Sequence, residues 1–188
     1  MLVSGEGTNL QALIDDPEVD VVCAGSDRPG ARGLERARAA GLAAGAGDER
    51  ELEALLDRHR VELVVLAGYM RILSPAFVGR WSGRILNVHP SLLPAFPGAH
   101  AVADAVAHGV KVTGVTVHLV DDAHVSVDSG PIVLQEAMPV SYDDSAAEVA
   151  ERLHEIEHRL LPRAVRLVSA GLIAVDGRRV RVDEGGSR

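Results

Sequence analysis

The first two-thirds of the chain alternates short apolar runs of β character with segments whose apolar residues recur at helical period. Met1 to Val3, Val19 to Ala24 and Leu63 to Leu66 read as strands, as does the run of Ile85, Leu86 and Val88. Asn9 to about Ile14, Ala31 to Ala40 and Asp48 to Arg60 read as helices. Gly41 closes the second of these, and Asp48 with Glu51 has the spacing of a capping box at the start of the third. Ser74-Pro75 starts a short helix with proline at its first position, and His100 to Ala107 is another that ends near Gly109. Alternation of this kind builds an α/β, doubly wound, mostly parallel sheet.

From Val112 onwards the pattern changes. Val112 to Val120 and Ile132 to Val140 are longer strands joined by a polar loop with no helix between them, so they pair antiparallel at the sheet edge. Ser145 to Ala170 is one long helix, with Val149, Leu153, Ile156, Leu160 and Leu167 at helical spacing, Pro162 as a kink and Gly171 as the stop. Leu172 to Val175 and Arg178 to Val182 flank Asp176-Gly177, the signature of a two-residue hairpin. The last few residues read as disordered.

A chain of 188 residues is long enough for one domain with a substantial core. Its net charge of −8 and pI near 5.4 exclude a general nucleic-acid binder, which needs a basic face to displace counterions. Cys23 lies in the apolar run Val21-Val22-Cys23-Ala24 and reads as a small buried residue of a reducing compartment. The opening Met1-Leu2-Val3-Ser4-Gly5 has no signal-peptide pattern, and no apolar run is long enough to cross a bilayer. The expectation is a soluble cytoplasmic protein that binds neither nucleic acid nor membrane.

Four stretches carry polar chemistry. Asn87-Val88-His89-Pro90 ends an apolar strand with an amide and an imidazole on one face, and Pro90 removes the next backbone donor. In an open α/β sheet the carboxyl end of a strand is where ligands bind. There Asn87 can donate to an oxyanion and His89 can carry a proton near neutral pH, although a capping Asn and a surface His would look the same in sequence. Ser4-Gly5-Glu6-Gly7-Thr8-Asn9, between the first strand and the first helix, offers glycines for close approach and free amides for an anion such as a phosphate monoester. As a dinucleotide fingerprint it is poor, since Leu10 stands at the third glycine position, although Asp27 lies where a ribose-binding acid would.

His154-Glu155-Ile156-Glu157-His158 matches the zinc-protease pattern H-E-x-x-H on a helix, with Glu155 as general base, but no third ligand follows downstream. Glu157, on the border of the apolar stripe, can turn into a pocket beside the core or lie on a solvated helix edge. The loop from Asp121 to Gly130 can carry Asp128 to His89, where a carboxylate favours the imidazolium. Asp121 and Asp122 read as solvated loop charges.

SGEGTNLQ, SDRPGARGLERA, LAGYMRILSPAF, NVHPSLLPAFPGAH, VTGVTVHLV, DSGPIVLQ and the Glu157-His158 helix, in this order and spacing, resemble the phosphoribosylglycinamide formyltransferases, folate-dependent enzymes of purine biosynthesis. The run His89 to Pro94 also occurs in related formyltransferases and deformylases, and the Gly-x-Gly-Thr-Asn loop points to the glycinamide ribonucleotide branch. The resemblance implies a single domain over 1–188 with a Rossmann-like formyltransferase fold. Its phosphate-binding half is 1–110, and 111–188 holds the edge strands, folate loop, long helix and hairpin. It further implies transfer of the formyl group of 10-formyltetrahydrofolate, the co-substrate, to the amine of glycinamide ribonucleotide by a monomer or homodimer without a metal. Asn87, His89 and Asp128 would be catalytic. Gly7, Thr8, Asn9, His154 and Glu157 would hold the ribonucleotide. Met70, Arg71, Ile72 and Leu73, with Asn87, Asp121, Val127 and Asp128, would bind the folate.

The chain departs from the family pattern in four places. Its first strand is short, as a start upstream of Met1 would explain, and Glu6 replaces an uncharged residue of the glycine loop. The stretch between Gly41 and Glu51 is short, leaving Arg50 as the stand-in for a pocket arginine. Ala123-His124-Val125-Ser126 lengthens the loop before Asp128 by about three residues, and longer loops are more mobile. The alternatives are a folate-dependent deformylase or a formyltransferase with another acceptor, a binding homologue without turnover, and a zinc hydrolase through His154 and His158.

Overall fold

The structure is a computed structural model that describes residues 1–120 and 127–183. In chain order, α1 (Thr8–Ile14), β1 (Cys23–Ser26), α2 (Arg32–Ala39), β2 (Ala43–Ala46), α3 (Glu49–Arg58), β3 (Val64–Ala67), α4 (Pro75–Arg80), β4 (Ile85–His89) and α5 (Ala101–His108) alternate. Two long strands follow, β5 (Val112–Leu119) and β6 (Ile132–Pro139). Then come α6 (Ala146–Ser169) and the hairpin of β7 (Ile173–Asp176) and β8 (Arg179–Val182). The pairs β1–β2 and β3–β4 are parallel, whereas β4–β5 and β5–β6 are antiparallel, so the edge has the direction expected of strands joined without a helix.

Met1 to Val3 are too few for a ladder of their own, and in place of the expected strand Leu2 makes two isolated parallel bridges, to Gly25 and to Leu66. The segment still fills a strand's place. Leu2 N donates to Val65 O at 2.8 Å, Val3 N to Gly25 O at 2.9 Å, and Gly25 N to Met1 O at 2.8 Å. It is the seam between β1–β2 and the sheet of β3 to β6. Its side chains alternate as in a strand, with Met1 and Val3 entering one core and Leu2 the other.

Helices cover both faces, which is the double winding. Leu10 and Leu13 of α1, Leu34 and Ala37 of α2, and the apolar stripe of α6 bury one face. Leu52 and Leu56 of α3 and Phe77 and Val78 of α4, with Trp81, bury the other. Local chemistry sets the helix ends. Asp48 and Glu51 form the expected capping box on α3, Ser145 and Glu148 form another on α6, and Ser74 caps α4 ahead of Pro75. α6 continues through Pro162, and among the described residues no helix is long and apolar enough to cross a membrane.

Two expectations shift, and one strand is new. The second expected strand lies at Cys23–Ser26 instead of Val19 to Ala24, because its partner β2 stands opposite those four residues. β2 itself has no sequence signal, since Ala43-Ala44-Gly45-Ala46 lacks the branched and aromatic side chains that mark strands. In the hairpin Asp176 pairs with Arg179, so the two loop residues are Gly177 and Arg178, one position later than expected, with Gly177 at φ 56°. The expected disordered tail, 184–188, lies outside the described residues.

The loop between the seam and α1 depends on a close backbone approach. Gly7 is left-handed at φ 70°, and a Cβ there would lie 2.5 Å from Gly33 Cα, while Gly33 N donates to Gly5 O at 3.0 Å. Gly7→Ala should therefore destabilise the protein by about 2–4 kcal/mol, from left-handed strain plus backbone overlap. Gly30→Ala, where an added Cβ meets nothing within 4 Å, should change stability little. Urea unfolding of the two variants checks both expectations.

Candidate active site

β4 carries Asn87 and His89 on the face of Ile85, with Asn87 half-buried and His89 buried. Antiparallel pairing sets His118 of β5 opposite Asn87 and Thr116 opposite His89. The chain beyond Pro90 is then fixed by β5 and β6. Thr116 Oγ1 donates to Ser91 O at 2.7 Å and accepts from Leu93 N at 3.1 Å and from Gln135 Nε2 at 2.9 Å. The Leu93-Pro94 peptide is cis.

Asp128 sits at φ 56°, and its carboxylate reaches three separate parts of the chain. Oδ1 accepts from Asn87 Nδ2 at 3.2 Å and lies 3.6 Å from His118 Nε2. Oδ2 accepts from Gly98 N at 2.8 Å and lies 3.4 Å from His89 Nδ1. Asn87, His89 and Asp128 therefore stand together. Burial pushes the Asp128 carboxyl pKa up, but hydrogen bonding from His118 and the Gly98 amide, with the charge of the two histidines, outweighs it and holds the pKa below the usual carboxylate value.

Hydrogen positions follow from the partners. His89 Nε2 lies 2.9 Å from the Phe96 carbonyl oxygen, so both ring nitrogens face oxygen acceptors, and only the doubly protonated ring satisfies both. His118 Nδ1 lies 3.0 Å from the Leu119 carbonyl, which requires a hydrogen on that nitrogen. In the neutral ring Nε2 then accepts from Asn87 Nδ2, 3.1 Å away; in the charged ring it faces Asp128 Oδ1 as an ion pair. The carboxylate fixes the Asn87 amide, because turning it over would set two oxygens 3.2 Å apart. With His118 neutral, both amide hydrogens of Asn87 are engaged within the protein. His118 is a residue that sequence reasoning missed. Its available signal was one polar ring in the otherwise apolar end of β5, Val117-His118-Leu119.

A second cluster joins α1 to α6. Asn9 Nδ2 donates to Glu157 Oε2 at 2.7 Å, and both side chains are buried, so Glu157 turns inward and does not lie on a solvated edge. Among the described residues, Asn9 Oδ1 is buried without a hydrogen-bond partner. Gly7 precedes the first turn of α1, whose amides have no carbonyl partners within the helix. Glu6 is turned away, paired with Arg32 at 3.0 Å, while Arg36 Nε donates to the Glu6 carbonyl at 2.8 Å. His154 is not drawn into this cluster. It is exposed and stacked on His158, and burial lowers the pKa of His158. Glu155 is also exposed, and among the described residues no three His, Cys, Asp or Glu side chains converge as metal ligands, so the H-E-x-x-H spacing assembles no zinc centre there.

The expected folate wall follows β3. Since β3 and β4 are parallel neighbours, residues 70–73 leave the sheet beside the end that bears Asn87 and His89. Met70 and Val127 are each 54% exposed and Ile72 82%, which leaves three large apolar side chains uncovered on the segments that flank the site. Arg71 is exposed and Leu73 packs partly against the α3–α4 core. Arg50 is exposed in the first turn of α3, and Asp121 lies outside the described residues.

Residues 1–165 match the model of the formyl transferase family. The chain is 42% identical to the trifunctional purine biosynthetic protein adenosine-3 of Gallus gallus over 93% of its own length, but it spans only 19% of that longer protein. It is 41% identical to the phosphoribosylglycinamide formyltransferase of Escherichia coli (strain K12), over 91% of this chain and 86% of that one. The solved structure of glycinamide ribonucleotide transformylase 1 from Symbiobacterium toebii matches with a TM-score of 0.90 at 44% identity, covering 96% of this chain and 91% of that one. Sequence and fold agree over nearly the whole length, and the chain belongs to the formyl transferase family, in its phosphoribosylglycinamide formyltransferase branch.

Proposed function

We propose that this protein transfers the formyl group of 10-formyltetrahydrofolate to the amine of glycinamide ribonucleotide, in purine biosynthesis. The observation that carries this reading is the Asp128 carboxylate joined to both Asn87 and His89 at the end of β4. The buried Asn9–Glu157 pair supports the ribonucleotide as acceptor. Gly7, Thr8 and Asn9 hold the phosphate, and Glu157 binds the polar end, with His154 one helical turn away at the exposed edge of this cluster. Met70, Ile72, Leu73 and Val127 supply apolar contact to the folate, and Arg71, Asn87, Asp121 and Asp128 supply its polar partners. On this reading 1–188 is one formyltransferase domain, active in the cytoplasm as a monomer or homodimer on small molecules alone.

The amine lone pair attacks the formyl carbon, and the carbonyl π pair moves to oxygen. His89 donates from Nε2 to that oxyanion once the formyl oxygen takes the place of the Phe96 carbonyl, and Asn87 gives it an amide hydrogen released from His118. The attacking nitrogen now carries one proton too many. Asp128, ionised because its pKa is held low, accepts that proton and passes it through water to the folate nitrogen. The bond from carbon to that nitrogen breaks, its electron pair stays with the nitrogen, and the oxyanion closes to a carbonyl. Tetrahydrofolate and the formylated ribonucleotide leave.

Supplied with both substrates, the protein should form these two products in equal amounts, and His89→Ala should lower kcat/KM about 10²–10⁴-fold in a spectrophotometric assay of the folate. Formate release without the ribonucleotide would identify a deformylase instead, and no turnover would identify a binding homologue. Asp128 also ties stability to pH. Because its folded pKa is depressed, its ionised form stabilises the protein above the unfolded value of about 3.9, and that contribution is lost as pH falls through the folded value. The Tm gap between the protein and Asp128→Asn should therefore narrow steadily below about pH 4, whereas a gap that stays constant contradicts the assignment.

A further inference from the structure

Ser4 is buried at the junction of two segments that the proposed function gives to different substrates. It immediately precedes the Gly5 to Asn9 loop. Its Oγ donates to Asp27 Oδ1 at 2.5 Å and accepts from the backbone N of Met70 at 2.9 Å, where the 70–73 wall begins; its own N donates to Gly68 O at 3.2 Å. A carboxylate only accepts, so Asp27 draws the single hydroxyl hydrogen to itself and turns a lone pair of Ser4 towards the Met70 amide. The Asp27 side chain is 9% exposed, with the exposed Arg28 Nε 3.9 Å from its other oxygen. Turned inward in this way, it is not presented as the ribose-binding acid that its position at the end of β1 would allow.

The far end of the wall is held separately. Glu49 accepts from Ser74 N at 2.8 Å and from Ser74 Oγ, so residues 70–73 run between two carboxylate anchors, and only the Ser4 anchor also touches the glycine loop. We infer that Ser4 and Asp27 form a positioning pair that couples the ribonucleotide loop to the folate wall, so that one hydroxyl sets the geometry of both substrate sites. Neither residue touches the reacting atoms. The inference rests on the formyl-transfer reading, because it assigns the two segments to two substrates.

Steady-state kinetics with glycinamide ribonucleotide and 10-formyltetrahydrofolate, together with amide hydrogen exchange of residues 68–73, test it on the full chain. Ser4→Ala should raise the KM of both substrates about fivefold or more while kcat falls by less, and should speed exchange at Met70. Glu49→Gln, which loosens only the far anchor, should raise the folate KM alone. Asp27→Asn keeps an acceptor for the hydroxyl and should show a smaller rise in both KM values; it also serves as the test if Ser4→Ala fails to fold. The double variant Ser4→Ala/Asp27→Asn should lose no more than the larger single variant. Lower Tm in Ser4→Ala and Asp27→Asn with both KM values unchanged, or a rise for one substrate alone, overturns the inference. No turnover by the unaltered protein overturns the formyl-transfer reading itself, a failure that kinetics of the variants cannot mimic.

Discussion

The Asp128 carboxylate faces Asn87, His89, His118 and the Gly98 amide, groups from parts of the chain that local structure alone would not bring together. A largely buried carboxylate costs several kcal/mol unless its lone pairs are met, and here each oxygen has a hydrogen-bond donor and a histidine within reach. Its left-handed backbone is one that Asp tolerates better than most residues, which lets the loop arrive at this angle. The Asn87 amide is oriented by that oxygen, the His89 ring by the other, and His118 answers to the same charge. Remove the carboxylate and the Asn87 amide and the His89 ring lose the acceptor that orients them.

The sheet supplies the frame for this arrangement through very little chain. Met1 to Val3 join β1 to β3 by hydrogen bonds on both sides and deliver Ser4 to the point where β1, β3 and the glycine loop meet. From there Gly7 presses on Gly33, Glu6 is drawn off to Arg32, and Asn9 is turned towards Glu157 of α6. Each step is a short contact at the end of an element, so the two substrate segments take their positions from strand ends and helix starts, where ligands bind in such a sheet.

Features governed by local physics were legible in the sequence. The Asp48–Glu51 box, the Ser74-Pro75 start, the shared face of Asn87 and His89 and the antiparallel edge all follow from spacing within one or two turns or a strand period. β2 was not legible, because four small residues become a strand only through pairing with β1. His118, the Gly98 amide and the Phe96 carbonyl were missed for a related reason: their roles depend on partners far away in sequence, and two of the three are backbone groups that any residue type carries. Asp27 was noticed but given no role, since no sequence pattern records that Ser4 lies within 2.5 Å of it.

The direct test of this account is a double-mutant cycle in kcat/KM between Asp128→Asn and His89→Gln. Because the carboxylate holds the imidazole as well as taking the amine proton, the double variant should be clearly faster than the product of the two single losses, so that each substitution costs less once the other is in place. Losses that multiply, each substitution costing the same factor with or without the other, would show two independent groups and contradict a site built on their contact.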